Sequence, residues 1–296
     1  MAKSGFIAIV GRPNVGKSTL LNAIMGEKIA IVSKKPQTTR TEIKGILTEG
    51  DKQYIFLDTP GMHRPKTKLG ERMIKSIRGA MASVNAALLV VEPNPRPGDI
   101  ELGILTKLKA QKVPVILVIN KTDKVAPLAV AQTIEAYAPL AEFVSVIPVS
   151  AMKKDGVDII LRECEPFLGE DNFYFPSDII TDQPERQIAA EVIREKLLRL
   201  LDDEIPHGTA VVIESFEESK GMIKIRAEIF CKKTSHKGII IGKQGATLKQ
   251  IGSYAREDLE TFFDAKVFLE LWVKVKENWR DSEFNLRTLG FKPDET

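Results

Sequence analysis

Residues 6–19 read FIAIVGRPNVGKST: an apolar strand runs straight into a glycine-bounded loop that ends in Lys17, Ser18 and Thr19. The spacing G-x-x-x-x-G-K-[ST] is that of a loop that cradles nucleotide phosphates. Gly11 and Gly16 permit a backbone path that turns N–H groups inward, and Arg12, Pro13, Asn14 and Val15 span the distance between them. Lys17 brings a cation to the β- and γ-phosphates, and the Ser18 hydroxyl suits Mg²⁺. Leu20, Leu21, Ile24 and Met25 then recur at helical spacing, so the positive end of a helix dipole faces the same phosphates. Strand, loop and helix in that order predict an α/β nucleotide-binding domain.

Outward from this loop, apolar strand candidates recur at 6–10, 43–48, 53–57, 86–91, 113–119 and 143–149. Helix-length segments lie at 69–82, 98–111, 126–138 and 156–167. Buried strands alternating with helices argue a mostly parallel, doubly wound sheet. Ile43–Thr48 and Gln53–Leu57 are joined by Glu49-Gly50-Asp51, a hairpin-like turn that predicts one antiparallel edge strand. The expected domain is 1–170, with a linker at 171–185 where turn residues, acids and prolines show no period. A long active-site loop is the other reading of that stretch.

The whole chain has 43 basic and 40 acidic residues, so its net charge of +3 identifies no partner. Cys164 and Cys231 form no disulfide framework, which fits a reducing compartment. His63, His207 and His236 are scattered and offer no zinc spacing. No apolar run approaches the roughly 18 residues of a membrane span. The first strand begins near Gly5, which leaves no room for a leader, so a cytoplasmic location is expected.

Three further motifs complete a nucleotide site. Asp58-Thr59-Pro60-Gly61 leaves the 53–57 strand, where Asp58 can hold Mg²⁺ through water and the Gly61 N–H can meet a γ-phosphate. Asn120-Lys121-Thr122-Asp123 ends a buried strand. The Asp123 carboxylate can accept both N1–H and N2–H₂ of guanine, a pair adenine lacks. Asn120 and the Lys121 stem would shape the base pocket, and Ser150-Ala151 can offer the Ala151 N–H to guanine O6. In the basic loop KKPQTTR at 34–40, Thr39 is the expected last Mg²⁺ ligand and Thr38 the alternative. A loop held only through γ-phosphate and Mg²⁺ is an order–disorder switch. The expected catalytic set is Lys17, Thr39 and Gly61.

This order of motifs resembles the translation-factor-related branch of GTPases, with a Ras-like fold. Signalling GTPases carry a water-orienting glutamine after DTPG, and here the residue is Met62, whose thioether cannot do that work. Slow intrinsic hydrolysis, open to stimulation, is expected. Asn14 resembles the asparagine that holds K⁺ in related GTPases.

A different rhythm starts at residue 186. Ile188, Val192, Ile193, Leu197, Leu200 and Leu201 share a helical face, and strands follow near 208–216 and 222–232. Ile229–Arg256 contains no acid but holds Lys232, Lys233, Lys237, Lys243, Lys249 and Arg256, a local cationic field. At its centre Gly242-Lys243-Gln244-Gly245 follows Gly238-Ile239-Ile240-Ile241. A G-x-x-G loop admits a phosphodiester backbone closely, and neighbouring apolar residues line a groove for unstacked bases. An amphipathic helix and a closing strand complete an α+β unit over 186–296 that looks like a type II KH domain. The tail from Glu277, with Trp279, Phe284 and Phe291, is expected to pack on that unit or contact RNA.

A GTPase domain of this motif set followed by such a KH domain resembles the bacterial Era GTPases. The resemblance implies a monomeric GTP/GDP switch that binds the single-stranded 3′ end of 16S ribosomal RNA and serves late 30S subunit assembly. It also implies a peripheral association with the inner face of the cell membrane. A GTP-dependent RNA chaperone with incidental hydrolysis is the rival reading, and a GTPase arm of an RNA-modifying enzyme a weaker one, since no second catalytic constellation follows residue 170.

Overall fold

A computed structural model gives the fold and describes every residue except Lys34, Pro36, Gln37, 63–66, Asp171, Lys220 and 290–296. His63, Phe291 and part of the 34–40 loop therefore lie outside the described residues. The main division into two compact units falls between Asp182 and Gln183.

The first unit alternates β1 (Lys3–Val10), α1 (Lys17–Met25), β2 (Ile43–Glu49), β3 (Lys52–Asp58), α2 (Lys68–Ala82), β4 (Ala86–Val91), α3 (Asp99–Ala110), β5 (Val115–Ile119), α4 (Pro127–Tyr137), β6 (Ser145–Pro148), α5 (Val157–Cys164) and β7 (Gly169–Glu170). Its strands run in the order β2-β3-β1-β4-β5-β6, and β7 joins on β1. β3, β1, β4, β5 and β6 are parallel to one another, and β2 is antiparallel to β3. β4 reads AALLVV and β5 VILVI, and every residue of both is buried. Such continuous apolar runs suit central strands covered on both faces. Successive side chains of β1 point oppositely. Ile7 and Ile9 therefore join Leu20 and Leu21 on one side of the sheet, and Ala8 and Val10 join Ile104 and Leu108 on the other.

Two local features differ from expectation. β7 is a second antiparallel strand, pairing Lys3 with Glu170 and Ser4 with Gly169, and two residues are too few to carry a period. Part of the expected linker belongs to the first unit. The Gln53 side chain donates to the Phe175 carbonyl at 2.8 Å and accepts its N–H at 3.0 Å. Ile46 N–H donates to the Ile180 carbonyl at 2.8 Å, and Lys44 pairs with Asp182 at 2.7 Å. The segment thus satisfies polar groups along β2 and β3 instead of crossing open solvent.

The second unit contains α6 (Glu185–Leu200), β8 (Ala210–Ser219), β9 (Met222–Cys231), α7 (Thr234–Ile241), α8 (Ala246–Phe263), β10 (Lys266–Val275) and α9 (Glu283–Thr288). Its sheet runs β10-β9-β8, with β10 parallel and β8 antiparallel to β9. Ile223, Ile225, Ala227 and Ile229 meet Ile188, Val192 and Leu197 of α6 and Ile251, Ala255 and Leu259 of α8. The polar side of α6 is less solvated than its sequence suggests. Glu195 and Lys196 are buried, and Lys196 Nζ donates to Glu195 at 3.0 Å and to Asp258 of α8 at 2.5 Å. In the tail, Trp279 is buried and its Nε1 donates to the Gly208 carbonyl at 3.0 Å, while Phe284 is exposed.

Candidate nucleotide site and nucleic-acid interface

The loops after β1, β3, β5 and β6 all leave the same end of the parallel sheet, the crevice where open α/β sheets bind ligands. Gly11 has φ 150°, and a Cβ there would lie 2.4 Å from the Val90 carbonyl oxygen. Gly16 has φ 98° and abuts Asn120 so closely that a Cβ would stand 2.3 Å from its Nδ2. Both glycines are thus required by close approach as well as by backbone angle.

Lys17 Nζ donates to the Arg12 carbonyl at 2.9 Å and the Gly11 carbonyl at 3.3 Å. Burial lowers its pKa to about 8, against the opposing pull of Asp58. Ser18 Oγ donates to Asp58 Oδ2 at 2.6 Å and lies 2.9 Å from Thr39 Oγ1, which donates to the same Asp58 oxygen at 3.2 Å. Burial raises the Asp58 pKa, and Lys17, Ser18 and Thr39 resist that rise. Among the described residues, Asp58 Oδ1 has no hydrogen-bond partner although it is buried. A buried carboxylate beside two hydroxyls is a hard oxygen donor set, and its unsatisfied oxygen fits Mg²⁺. Thr38 is engaged elsewhere, its Oγ1 donating to the Lys35 carbonyl at 2.7 Å.

Thr59 Oγ1 donates to the Ile9 carbonyl at 2.9 Å and locks the DTPG turn to β1. Gly61 packs on Pro13, where a Cβ would lie 2.7 Å from the proline Cα and N. Met62 N–H donates to the Gly11 carbonyl at 3.2 Å, and its side chain is buried with Ala8, Val10, Ile77 and Met81.

At the base end, Asn120 Nδ2 donates to the Val15 carbonyl at 2.9 Å. Lys121, with φ 68°, donates from Nζ to the Asn14 carbonyl at 2.6 Å and pairs with Glu92. Thr122 opens the short helical turn carrying Asp123. Ser150 Oγ donates to Asp123 Oδ1 at 2.7 Å and holds the exposed carboxyl below its usual pKa. The Ala151 N–H, expected to meet guanine O6, here donates to Asn120 Oδ1 at 3.0 Å. Arg12 extends away from this cluster and pairs with Glu101 of α3 at 2.5 Å.

In the second unit, Gly242 has φ 75° and ψ 176°, Gln244 φ 52° and Gly245 φ 80°. A Cβ at Gly242 would lie 2.3 Å from Thr247 Oγ1, whereas nothing stands within 4 Å of one at Gly245. Beside this turn runs a groove of about 420 Å³ lined by Gly245, Leu248, Lys249, Gly252, Arg256 and Leu271, among others. Lys233, Lys243, Gln244 and Lys249 are exposed and Lys237 is half-buried.

Comparison with known proteins follows this two-part pattern. A family model described as a 50S ribosome-binding GTPase matches residues 6–121, and a KH domain model matches 204–280. GTPase Era of Ruminiclostridium cellulolyticum is 52% identical over 291 residues, covering 98% of each chain. GTPase Era of Clostridium botulinum (strain Kyoto) is 52% identical over 293 residues, covering 99% of each. The chain belongs to the Era GTPase family. An Aquifex aeolicus Era variant bound to GDP·AlF₄⁻ superposes with a TM-score of 0.92 at 38% identity, covering 98% of this chain and 99% of that one. Era in complex with MgGDPNP and nucleotides 1506–1542 of 16S ribosomal RNA superposes at 0.91, with the same identity and coverage. The Era-family chain is accordingly a GTPase with a Ras-like domain and a KH domain.

Within this Era-type KH unit the groove differs from the expected one in its apolar wall. Ile240, expected beside RNA, is fully buried in the core, because α7 turns three consecutive isoleucines about 100° apart. Ile239 is exposed and Ile241 packs against the core. The apolar wall comes instead from Leu248, Leu269 and Leu271. Their periodicity alone is that of core residues. The signal that separates them is Gly252, one turn beyond Leu248, which leaves the helix face without bulk.

Proposed function

We propose that this protein is a GTP-hydrolysing switch that binds the 3′ end of small-subunit 16S ribosomal RNA and assists late 30S subunit assembly. The observation that carries the reading is the open groove beside Gly242–Gly245, in one chain with a nucleotide site. Support comes from the RNA-bound Era structure, which matches both units. The GTPase model's description names the large subunit, but it covers residues 6–121 alone. The full-length relative with 16S RNA is the more specific guide.

In this reading Gly11–Thr19, Asp58–Met62, Asn120–Asp123, Ser150 and Ala151 surround the nucleotide. Ser18, Thr39 and Asp58 hold Mg²⁺, which when bound neutralises phosphate charge. Lys17 leaves the Gly11 and Arg12 carbonyls for the phosphates, and the Gly61 N–H donates to the γ-phosphate. Asn14 holds K⁺. Asp123, kept ionised by Ser150, selects guanine. Thr39 reports the γ-phosphate to the rest of the 34–40 loop. The phosphodiester backbone meets Lys233, Lys237, Gly238, Gly242, Lys243, Gln244, Gly245 and Lys249, and unstacked bases enter the leucine-lined groove, with Ile239 and Ile241 at its approach.

Crosslinking followed by sequencing of the bound RNA tests this, with Lys243→Glu as control. Enrichment of the 16S 3′ end that Lys243→Glu abolishes is expected. Recovery of messenger or transfer RNA instead overturns the ribosomal assignment. The buried Met62 side chain favours one second reading, an RNA chaperone whose hydrolysis is incidental. Multiple-turnover rates unaltered by RNA would favour that alternative.

A further inference from the structure

The phosphate loop is gripped from outside as well as from the nucleotide side. Arg12 Nε lies 2.5 Å from Glu101 Oε1, an ion pair without hydrogen-bond geometry, in which the Glu101 side chain is 6% exposed and the Arg12 side chain 40%. Glu101 is the third residue of α3, and its Oε2 accepts the Gly98 N–H at 3.1 Å. One carboxylate therefore caps α3 and holds the phosphate loop. Gly98 completes the slot, because a Cβ there would lie 1.8 Å from Arg12 Nη2. Its φ of −114° and ψ of 178° are extended backbone open to any residue. The absence of a side chain at 98 therefore leaves room for the guanidinium where it lies and is not demanded by the chain path; a methyl group there would displace the end of Arg12.

The backbone of the same turn faces the chemistry. The Arg12 carbonyl accepts from Lys17 Nζ at 2.9 Å, and the Gly11 carbonyl accepts from Met62 N–H at 3.2 Å. Pro13 carries the contact with Gly61. We propose that Glu101 is a positioning residue for the nucleotide: through Arg12, lying in the slot over Gly98, it braces the outer turn of the phosphate loop against α3. Arg12 then acts on the nucleotide indirectly. A loop without the brace spends part of its time in other conformers, and nucleotide affinity falls by the fraction lost. The proposal rests on the reading of this loop as the GTP site, and GTP binding by the unaltered protein checks that reading separately.

The test uses the full chain and compares Gly98→Ala, Glu101→Gln, Arg12→Ala, Arg12→Lys and the double variant Arg12→Ala/Gly98→Ala. Affinity for a fluorescent GDP, steady-state GTP hydrolysis and nucleotide-free Tm are measured for each. Gly98→Ala and Glu101→Gln are each expected to weaken GDP binding about tenfold, with saturating kcat within about twofold, since bound nucleotide reorders the loop. Arg12→Lys should retain part of the affinity that Arg12→Ala loses. The double variant should match Arg12→Ala alone, because the new methyl group has no guanidinium to displace. Weakened binding in Arg12→Ala with Gly98→Ala and Glu101→Gln unaffected would mean direct contact of Arg12 with nucleotide and overturn the proposal. Lowered Tm with unchanged GDP affinity in all variants would reduce the pair to a purely structural contact, and overturn it equally.

Discussion

Asn120 Nδ2 donates to the Val15 carbonyl at 2.9 Å, a bond between the loop after β5 and the loop after β1. The other end of the amide accepts the Ala151 N–H at 3.0 Å. Asn120 is 2% exposed, so Asn120→Ala leaves a buried carbonyl and a buried N–H without partners. Each orphan costs roughly 1–3 kcal/mol. The expected result is a loss of GTP and GDP affinity of about 10²-fold together with a lowered Tm, read by nucleotide titration and thermal unfolding. Unchanged affinity would show that the two loops keep their places independently.

Nucleotide binding is expected to depend on pH through Lys17. Lys17 is a base whose pKa in the folded, nucleotide-free protein is about 8, below the ordinary 10.5. Between those values the unfolded chain binds the extra proton, so nucleotide-free stability rises with pH through that window. Phosphate favours the protonated form. Below about pH 8 GDP affinity should be flat, and above it affinity should fall about tenfold per unit. Calorimetric titration at pH 8.5 in two buffers of different ionisation enthalpy should register proton uptake on GDP binding. No uptake would contradict the burial of Lys17.

The Met62 side chain is buried in the core cluster that holds Ala8, Val10, Ile77 and Met81, so only its backbone is left to line the nucleotide site. Met62→Ala should therefore cost about 2–4 kcal/mol of stability by leaving a cavity. Single-turnover GTP hydrolysis should stay within about threefold, as expected of a thioether that orients no water. A hundredfold drop in hydrolysis at full nucleotide occupancy would make Met62 catalytic.

Gly252 lies on α8 in the wall of the leucine-lined groove, and a Cβ there would meet Leu271 Cδ1 at an ordinary 3.5 Å. Gly252→Leu should raise helix propensity by about 0.8 kcal/mol while filling the groove. Affinity for a single-stranded RNA of the 16S 3′ end should fall at least about tenfold with Tm unchanged or raised and GTPase activity intact. The residual binding should retain its steep salt dependence, since the lysines around Gly242–Gly245 remain. Full RNA affinity in Gly252→Leu would remove this groove from the interface.

The motifs were legible because each works over a few consecutive residues. In the phosphate loop, the glycines, Lys17 and Ser18 lie within one turn, and the backbone angles they need follow from residue type. β4 and β5 announce central strands by their apolar runs alone. Residues whose partners are remote in sequence carried no such signal. Leu248, Leu269 and Leu271 have the period of core residues, and their place at a groove depends on Gly252 and on how α8 crosses β10. Glu195 and Lys196 carry no local sign of burial, which follows from Asp258 of α8 reaching Lys196 at 2.5 Å.

The amino-acid sequence by itself determined a parallel α/β nucleotide domain and a KH unit with its Gly242–Gly245 turn, and it pointed to guanine through Asp123, because local periodicity and short loop chemistry specify each. Tertiary structure alone decided that Thr39 rather than Thr38 joins Ser18 and Asp58, that Met62 turns into the core, and that Arg12 runs over Gly98 to Glu101. Those three outcomes are contacts between segments brought together by packing. Thr39 and Asp58 meet because β2, which follows Thr39, starts with Ile43 paired to Asp58 at the end of β3. Arg12 and Glu101 meet because β1 and β4 are neighbours, so the loop after each lies at the same end of the sheet.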